Sequence, residues 1–174
     1  MKKLILLTPL IVLTIICLFF LLFIIYDKDP NNPPSALLNK DAPTFLSINL
    51  YDENDNFISE DLRDKYTLIN FFASWCTPCR AEHHLFFEIR KKIPELFLLG
   101  FSHKDDLDDS KKYLEDEGNP YSFVGIDKKG KIAFEFGVFG LPETFIIDKT
   151  GKIIFKHTGP LTKEIINNEI LKLF

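Results

Sequence analysis

Cys76 and Cys79 are separated by Thr77 and Pro78, and they sit where the apolar run ending Phe71-Phe72-Ala73 gives way to a helical pattern. At that spacing two thiols lie about one helical turn apart. Unpaired backbone N–H groups and the positive end of the helix dipole favour a thiolate on the first cysteine, Cys76. Cys79 then stands where it can attack a mixed disulfide at Cys76 and release the bonded partner. Pro78 fits the first helical turn, where its missing N–H is not needed. The chemistry this spacing suits is thiol–disulfide exchange.

Two blander uses of the same pair are an inert disulfide and a metal site. Attachment of a c-type haem requires His directly after the second cysteine, and Arg80 stands there instead. A metal would draw on Cys76, Cys79 and His83, at offsets of 3 and 4 and therefore near one helical face. No fourth zinc ligand is evident. A copper-binding chaperone using Cys76, Cys79 and His83 or His157 stays open as a second reading.

The elements that must position the pair follow from hydrophobic patterning. Tyr66–Ala73 is too apolar to have a wet face, so it is a central strand. Thr77–Lys92 is helical, with Leu85, Phe86 and Ile89 on one side and Pro94 just beyond its end. Phe45–Tyr51, Phe57-Ile58, Glu95–Phe101 and Ser122–Asp127 read as further strands, and Asp106–Glu117 and Lys131–Phe136 as helices. Thr144–Asp148 and Lys152–His157 form a hairpin around Lys149-Thr150-Gly151, and a helix over Thr162–Leu173 closes the chain. This is an α/β fold with a mixed sheet covered on both faces. Phe86-Phe87 reads as core. The acidic run Asp105-Asp106, Asp108-Asp109 lacks the glycine and spaced ligands of a calcium loop and reads as a helix cap with a solvated first turn.

The front of the chain is different in kind. Leu4–Ile25 is 22 residues long and only Thr8, Pro9 and Thr14 interrupt its apolar character. As a helix it would span about 33 Å, enough for a hydrocarbon core of about 30 Å. No small-residue cleavage site follows, so it reads as an uncleaved anchor, with Cys17 an apolar residue of the span. Lys2 and Lys3 precede it and Asp27-Lys28-Asp29 follow, which keeps residues 1–3 cytoplasmic and sends the rest across. Residues 26–43 hold Pro30, Pro33, Pro34 and Pro43 and read as an extended tether. The compact domain is then residues 44–174.

Composition excludes several classes. The 174-residue chain carries a net charge of −4, and with Lys2 and Lys3 set aside the remainder is at −6. That is not the basic footprint of a nucleic-acid binder. Three cysteines are too few for a disulfide scaffold, and 18 phenylalanines argue against disorder. A mean hydropathy of +0.03 averages an apolar segment with a domain of ordinary composition.

Taken with Pro142 ahead of a later strand, Trp75-Cys76-Thr77-Pro78-Cys79 after a buried strand resembles the thioredoxin fold. The resemblance is closer to one membrane-anchored branch, the thiol–disulfide oxidoreductases of cytochrome c maturation (the CcmG/DsbE type). It rests on Trp75–His83, Lys104-Asp105-Asp106, Gly118-Asn119-Pro120-Tyr121, Gly137–Phe145 and His157-Thr158-Gly159-Pro160-Leu161, and runs from about residue 40 to the end.

Such a resemblance implies a thioredoxin-like three-layer α/β/α fold behind one N-terminal transmembrane helix. It implies a redox-active Cys76–Cys79 disulfide with no other cofactor and no metal, and a cis-proline at Pro142 facing the cysteines. Trp75, Thr77, Pro78, Leu141 and Pro142 would bind substrate. Glu82, one turn after Cys79, and Glu143, next to Pro142, would tune the thiols or relay a proton. Asn70 stands where ordinary thioredoxins carry a buried Asp. The implied partners are apocytochrome c or a thiol-containing maturation protein as client, and a membrane thiol reductase of the DsbD or CcdA type as electron donor. The implied location is the bacterial inner membrane, with the catalytic domain periplasmic. A general thioredoxin-like reductase with other clients is the neighbouring reading.

Overall fold

The computed structural model describes residues 2–26 and 37–174. The chain divides into two compact units, one holding the first helix and one holding every later element. Helix α1 (Lys2–Tyr26) has 25 residues. Its side chains are described from residue 8 to residue 23, and all of these are exposed. The Thr14 hydroxyl donates back to Leu10 O at 2.6 Å, so a polar group inside an apolar helix is satisfied within it. Among the described residues no helix is long and apolar enough to cross a membrane. Most of the expected tether, residues 27–36, lies outside the described residues.

The second unit is built on a five-stranded mixed sheet in the order β5-β4-β3-β6-β7. All six residues of β3 (Thr67–Phe72) are buried, which is why the sequence shows no polar alternation there. Strand β3 runs parallel to β4 (Phe97–His103), and β4 parallel to β5 (Phe123–Asp127). These pairings need crossovers, supplied by α2 (Thr77–Lys92) and α3 (Leu107–Asp116). On the other side β3 pairs antiparallel with β6 (Glu143–Ile147), which turns back into β7 (Ile153–Thr158).

Side chains alternate along the strands and divide the core in two. Leu68, Phe72 and Ile146 pack with Leu85, Phe86 and Ile89 of α2 and with both active-pair cysteines. Ile69, Phe71 and Phe145 pack on the opposite face with Phe136, beside α4 (Lys131–Glu135). That second face is crowded with aromatic rings: Phe71, Phe101, Phe136 and Phe145 meet at centroid distances of 5.2 to 5.8 Å.

Three expectations change. Of Phe45–Tyr51 only β1 (Leu46–Ile48) is a strand, and it pairs with β2 (Asn56–Ile58) in a separate two-stranded sheet. Leu50 N–H then donates to Val124 O at 2.8 Å, so this hairpin covers the β5 edge instead of continuing as a long strand. The last helix stops early: α5 is Lys163–Asn168, and Ile170–Leu173 continues as a 3-10 turn. Asn167 and Asn168 are poor interior helix formers, while Ile166 and Ile170 must both reach the core. Finally, residues 37–43 dock onto the domain. Asn39 N–H donates to Ile153 O at 2.7 Å and Ala42 N–H to Gly151 O at 2.9 Å.

Candidate active site

Cys76 is the N-cap of α2, in extended conformation, and Pro78 lies in the first turn as its fixed φ allows. A disulfide joins Cys76 to Cys79, with Cα atoms 5.3 Å apart. Cys79 N–H points at Cys76 Sγ, 3.2 Å away. An N–H that the helix leaves unpaired is therefore aimed at the sulfur where a thiolate would form. Both cysteines are buried among apolar residues, whereas Trp75 beside them is 62% exposed. Thr77 and Pro78 are also exposed.

The strand-to-helix turn is held by a buried carboxylate. Asp105 Oδ2 accepts from Ser74 N–H at 2.6 Å and Oδ1 accepts from the Ser74 hydroxyl at 2.8 Å. The Ser110 hydroxyl donates to Oδ2 at 2.7 Å, and Arg80 Nε donates to Ser74 O at 3.1 Å. Of the acidic run, Asp106 is the expected helix cap, accepting from Asp108 N–H at 2.9 Å. Asp105, by contrast, is buried. Its position two residues beyond a buried strand was the available signal, since the outward-facing acids belong to the helix.

Pro142 follows a cis peptide bond from Leu141. Leu141 packs against the cluster that contains Cys76 and Cys79. Pro142 itself is buried and its carbonyl accepts from Gly159 N–H at 2.9 Å.

The two candidate acids fall on opposite faces of the sheet. Glu82 is 1% exposed and lies on the cysteine face. Its Oε1 accepts from Asn70 Nδ2 at 3.0 Å and its Oε2 from Leu161 N–H at 2.5 Å. Burial pushes its carboxyl up to about 7, against the opposing pull of those two hydrogen bonds. Asn70 also donates to the Thr144 hydroxyl at 3.2 Å and accepts from Tyr121 OH at 2.8 Å. Burial holds the Tyr121 phenol well above its ordinary range, so it remains a donor.

Glu143 alternates to the other face with Phe145 and Ile147. Its Oε1 accepts from Phe139 N–H at 2.8 Å, and Lys156 Nζ lies 3.0 Å from Oε2. The geometry thus brings Glu82 to the cysteine side and ties Glu143 to a lysine behind the sheet. Adjacency to Pro142 in sequence suggested otherwise, because a strand sends successive side chains to opposite faces.

His83 is buried, with Nε2 2.8 Å from Gly118 O and its ring 4.9 Å from that of Tyr113. Burial holds its imidazole below the ordinary value. Among the described residues no three His, Cys, Asp or Glu side chains cluster to hold a metal ion. His157 is a residue of β7, stacked near Phe155. Phe86 is core, while Phe87 is 41% exposed and lies over Gly118.

A cysteine pair capping the helix after a central strand, with a cis-proline ahead of the antiparallel strand, defines a thioredoxin-like thiol–disulfide oxidoreductase. Residues 38–156 match the model of the AhpC/TSA family. The chain is 38% identical over 149 residues to the thiol:disulfide interchange protein HelX of Rhodobacter capsulatus, covering 85% of this chain and 83% of that protein. It is 34% identical over 179 residues to the thiol:disulfide interchange protein DsbE of Escherichia coli K12, covering 100% and 95%. The solved thiol-disulfide oxidoreductase of Bacteroides fragilis superposes with a TM-score of 0.64 at 26% identity, over 78% of this chain and 100% of that one. The chain belongs to the DsbE-type thiol:disulfide interchange proteins of the AhpC/TSA family.

Proposed function

We propose that the protein is a membrane-anchored reductant on the periplasmic side of a bacterial inner membrane. Its clients are the cysteine pairs of apocytochrome c, or of a maturation partner, which it keeps reduced for haem attachment. The observation that carries the reading is the Cys76–Cys79 pair at the start of α2, backed by buried Glu82 on the same face of the sheet.

The Cys76 thiolate attacks one sulfur of a client disulfide, forming a mixed disulfide and releasing the client's other sulfur as thiolate. Cys79 thiolate then attacks Cys76 Sγ, which frees the client dithiol and leaves the enzyme disulfide. Glu82, titrating near neutrality, takes the proton from Cys79 in that step. Asn70 orients the carboxyl. Glu143 braces the Phe139 backbone and with it the approach to Pro142. Trp75, Thr77, Pro78 and Leu141 present the surface over which the client lies. A membrane thiol reductase of the DsbD or CcdA type returns two electrons to the pair.

The anchor reading rests on the apolar run Leu4–Ile25 and on Lys2-Lys3 before it. A helix apolar all round requires an apolar surrounding, and the described side chains of α1, residues 8–23, are all exposed.

The test uses the full chain in cells. Cys79→Ser should trap a client on Cys76 as a mixed disulfide, and Cys76→Ser should lower c-type cytochrome content. The proposal fails if Cys76→Ser leaves c-type cytochrome assembly intact, or if Cys79→Ser traps no partner. Alkaline extraction should leave the protein with the membrane fraction.

A further inference from the structure

An open cavity of about 380 Å³ is lined by His103, Lys104, Lys129, Lys131, Phe134 and Phe139 among others. One wall is Lys104, whose carbonyl faces the indole N–H of Trp75 at 3.4 Å. The other is Phe139-Gly140, which leads directly into the cis Leu141–Pro142 bond. Both walls therefore belong to loops that flank the reacting sulfurs.

The lining is unlike the rest of the domain. Outside Lys2 and Lys3 the chain has a net charge of −6, yet three lysines converge here. Among the described residues no carboxylate lies within ion-pair distance of Lys104, Lys129 or Lys131. Asp127, two residues before Lys129, is already engaged by His103 at 3.0 Å and by the N–H groups of Ile132 and Ala133, each at 3.0 Å, and Asp105, next to Lys104, is engaged by Ser74 and Ser110.

Lys104 is held in place by its backbone. It takes a φ of 46°, which a non-glycine residue adopts only against a steric cost. Gly130, itself at φ 70°, has no Cβ; one built there would come within 2.3 Å of Lys104 Cε. The Lys104 stem thus lies across Gly130 into the cavity. Phe134 and Phe139, 78% and 83% exposed, supply an apolar rim.

We propose that this cavity is a specificity subsite for an acidic side chain of the client polypeptide, close in sequence to the client's cysteines. Lys104, Lys129 and Lys131 receive the carboxylate, and the two phenylalanines cover its aliphatic stem and the adjoining backbone. The inference rests on the exchange reading above. It adds that charge next to the cysteine pair, and not the disulfide alone, selects the client.

The test reads binding apart from redox chemistry. The full chain in non-ionic detergent is titrated with a tryptophan-free peptide whose cysteines are replaced by serine and followed by Asp-Glu. A second peptide carries Asn-Gln at those positions. Trp75 is the chain's single tryptophan, so its emission reports occupancy beside Lys104. The acidic peptide should bind about 5-fold more tightly than the amide peptide at low salt. That ratio should fall to near one in Lys129→Ala/Lys131→Ala and return in Lys129→Arg/Lys131→Arg. Absence of acidic-peptide binding, equal affinities in the unaltered protein, or a ratio that survives the double alanine variant overturns the subsite. Reduction of the cysteine-containing, oxidised peptides is measured separately. Failure of that step with the affinity ratio intact sinks the exchange reading and leaves the subsite standing.

Discussion

Asn70 Nδ2 donates to Glu82 Oε1 at 3.0 Å beneath the helix that carries the cysteine pair. A neutral amide in the strand thereby holds an acid on the helix, in an arrangement where ordinary thioredoxins carry the acid on the strand itself. With Tyr121 and Thr144 also hydrogen-bonded to Asn70, one titratable proton is surrounded by groups that keep a fixed charge of zero.

The raised Glu82 carboxyl makes stability depend on pH in a defined direction. The folded protein binds this proton up to about pH 7, whereas an unfolded glutamate releases it near 4.5. Between those values the native state holds more protons, so stability falls as pH rises and levels off above the folded value. The span corresponds to about 3 kcal/mol. Denaturant unfolding of the oxidised protein at pH 5 and pH 8 should show most of that loss, and Glu82→Gln should show a smaller one. Equal slopes in the two proteins would contradict the assignment.

Behind the sheet, Lys156 is the counter-ion of a carboxylate with no exposed surface. Lys156→Met should cost about 3 to 5 kcal/mol by leaving Glu143 charged and unpaired. Adding Glu143→Gln should restore most of it, because the lone charge is gone. Urea midpoints of the four proteins of this cycle decide the matter. A double variant as unstable as the single one would show that Glu143 matters through Phe139 and not through charge.

Asp105 should control the order of the turn before Cys76. Asp105→Asn leaves the shape but turns one acceptor into a donor facing Ser74 N–H or the two hydroxyls. Loss of about 1 to 3 kcal/mol is expected. Amide exchange at Ser74 should rise more than at β5 residues far from the turn. Uniform acceleration across the sheet would mean general destabilisation only.

Much of this fold was legible because burial leaves a mark on composition. The central strand reads directly from Leu68-Ile69-Asn70-Phe71-Phe72, and helix α2 begins and ends where Thr77 and Lys92 placed it. The hairpin β1–β2 was less legible: three-residue strands carry too little periodicity to separate from their flanks. Phe87 looked like core beside Phe86, yet a helix turns successive residues about 100° apart and only one of the two faces the sheet.

The site divides along the same line. Local sequence determined the cysteine pair, its place at a helix start, Pro78 in the first turn and the proline ahead of the antiparallel strand. These depend on neighbours a few residues apart. Tertiary structure alone decided which acid shares the face of the pair: Glu82 meets Asn70 across 12 positions and Leu161 across 79, while Glu143 turns away to Lys156. It also decided that Lys104, Lys129 and Lys131 share one cavity beside Trp75. Charge and burial arise from residues brought together by strand order and crossover, and no spacing along the chain encodes that distance.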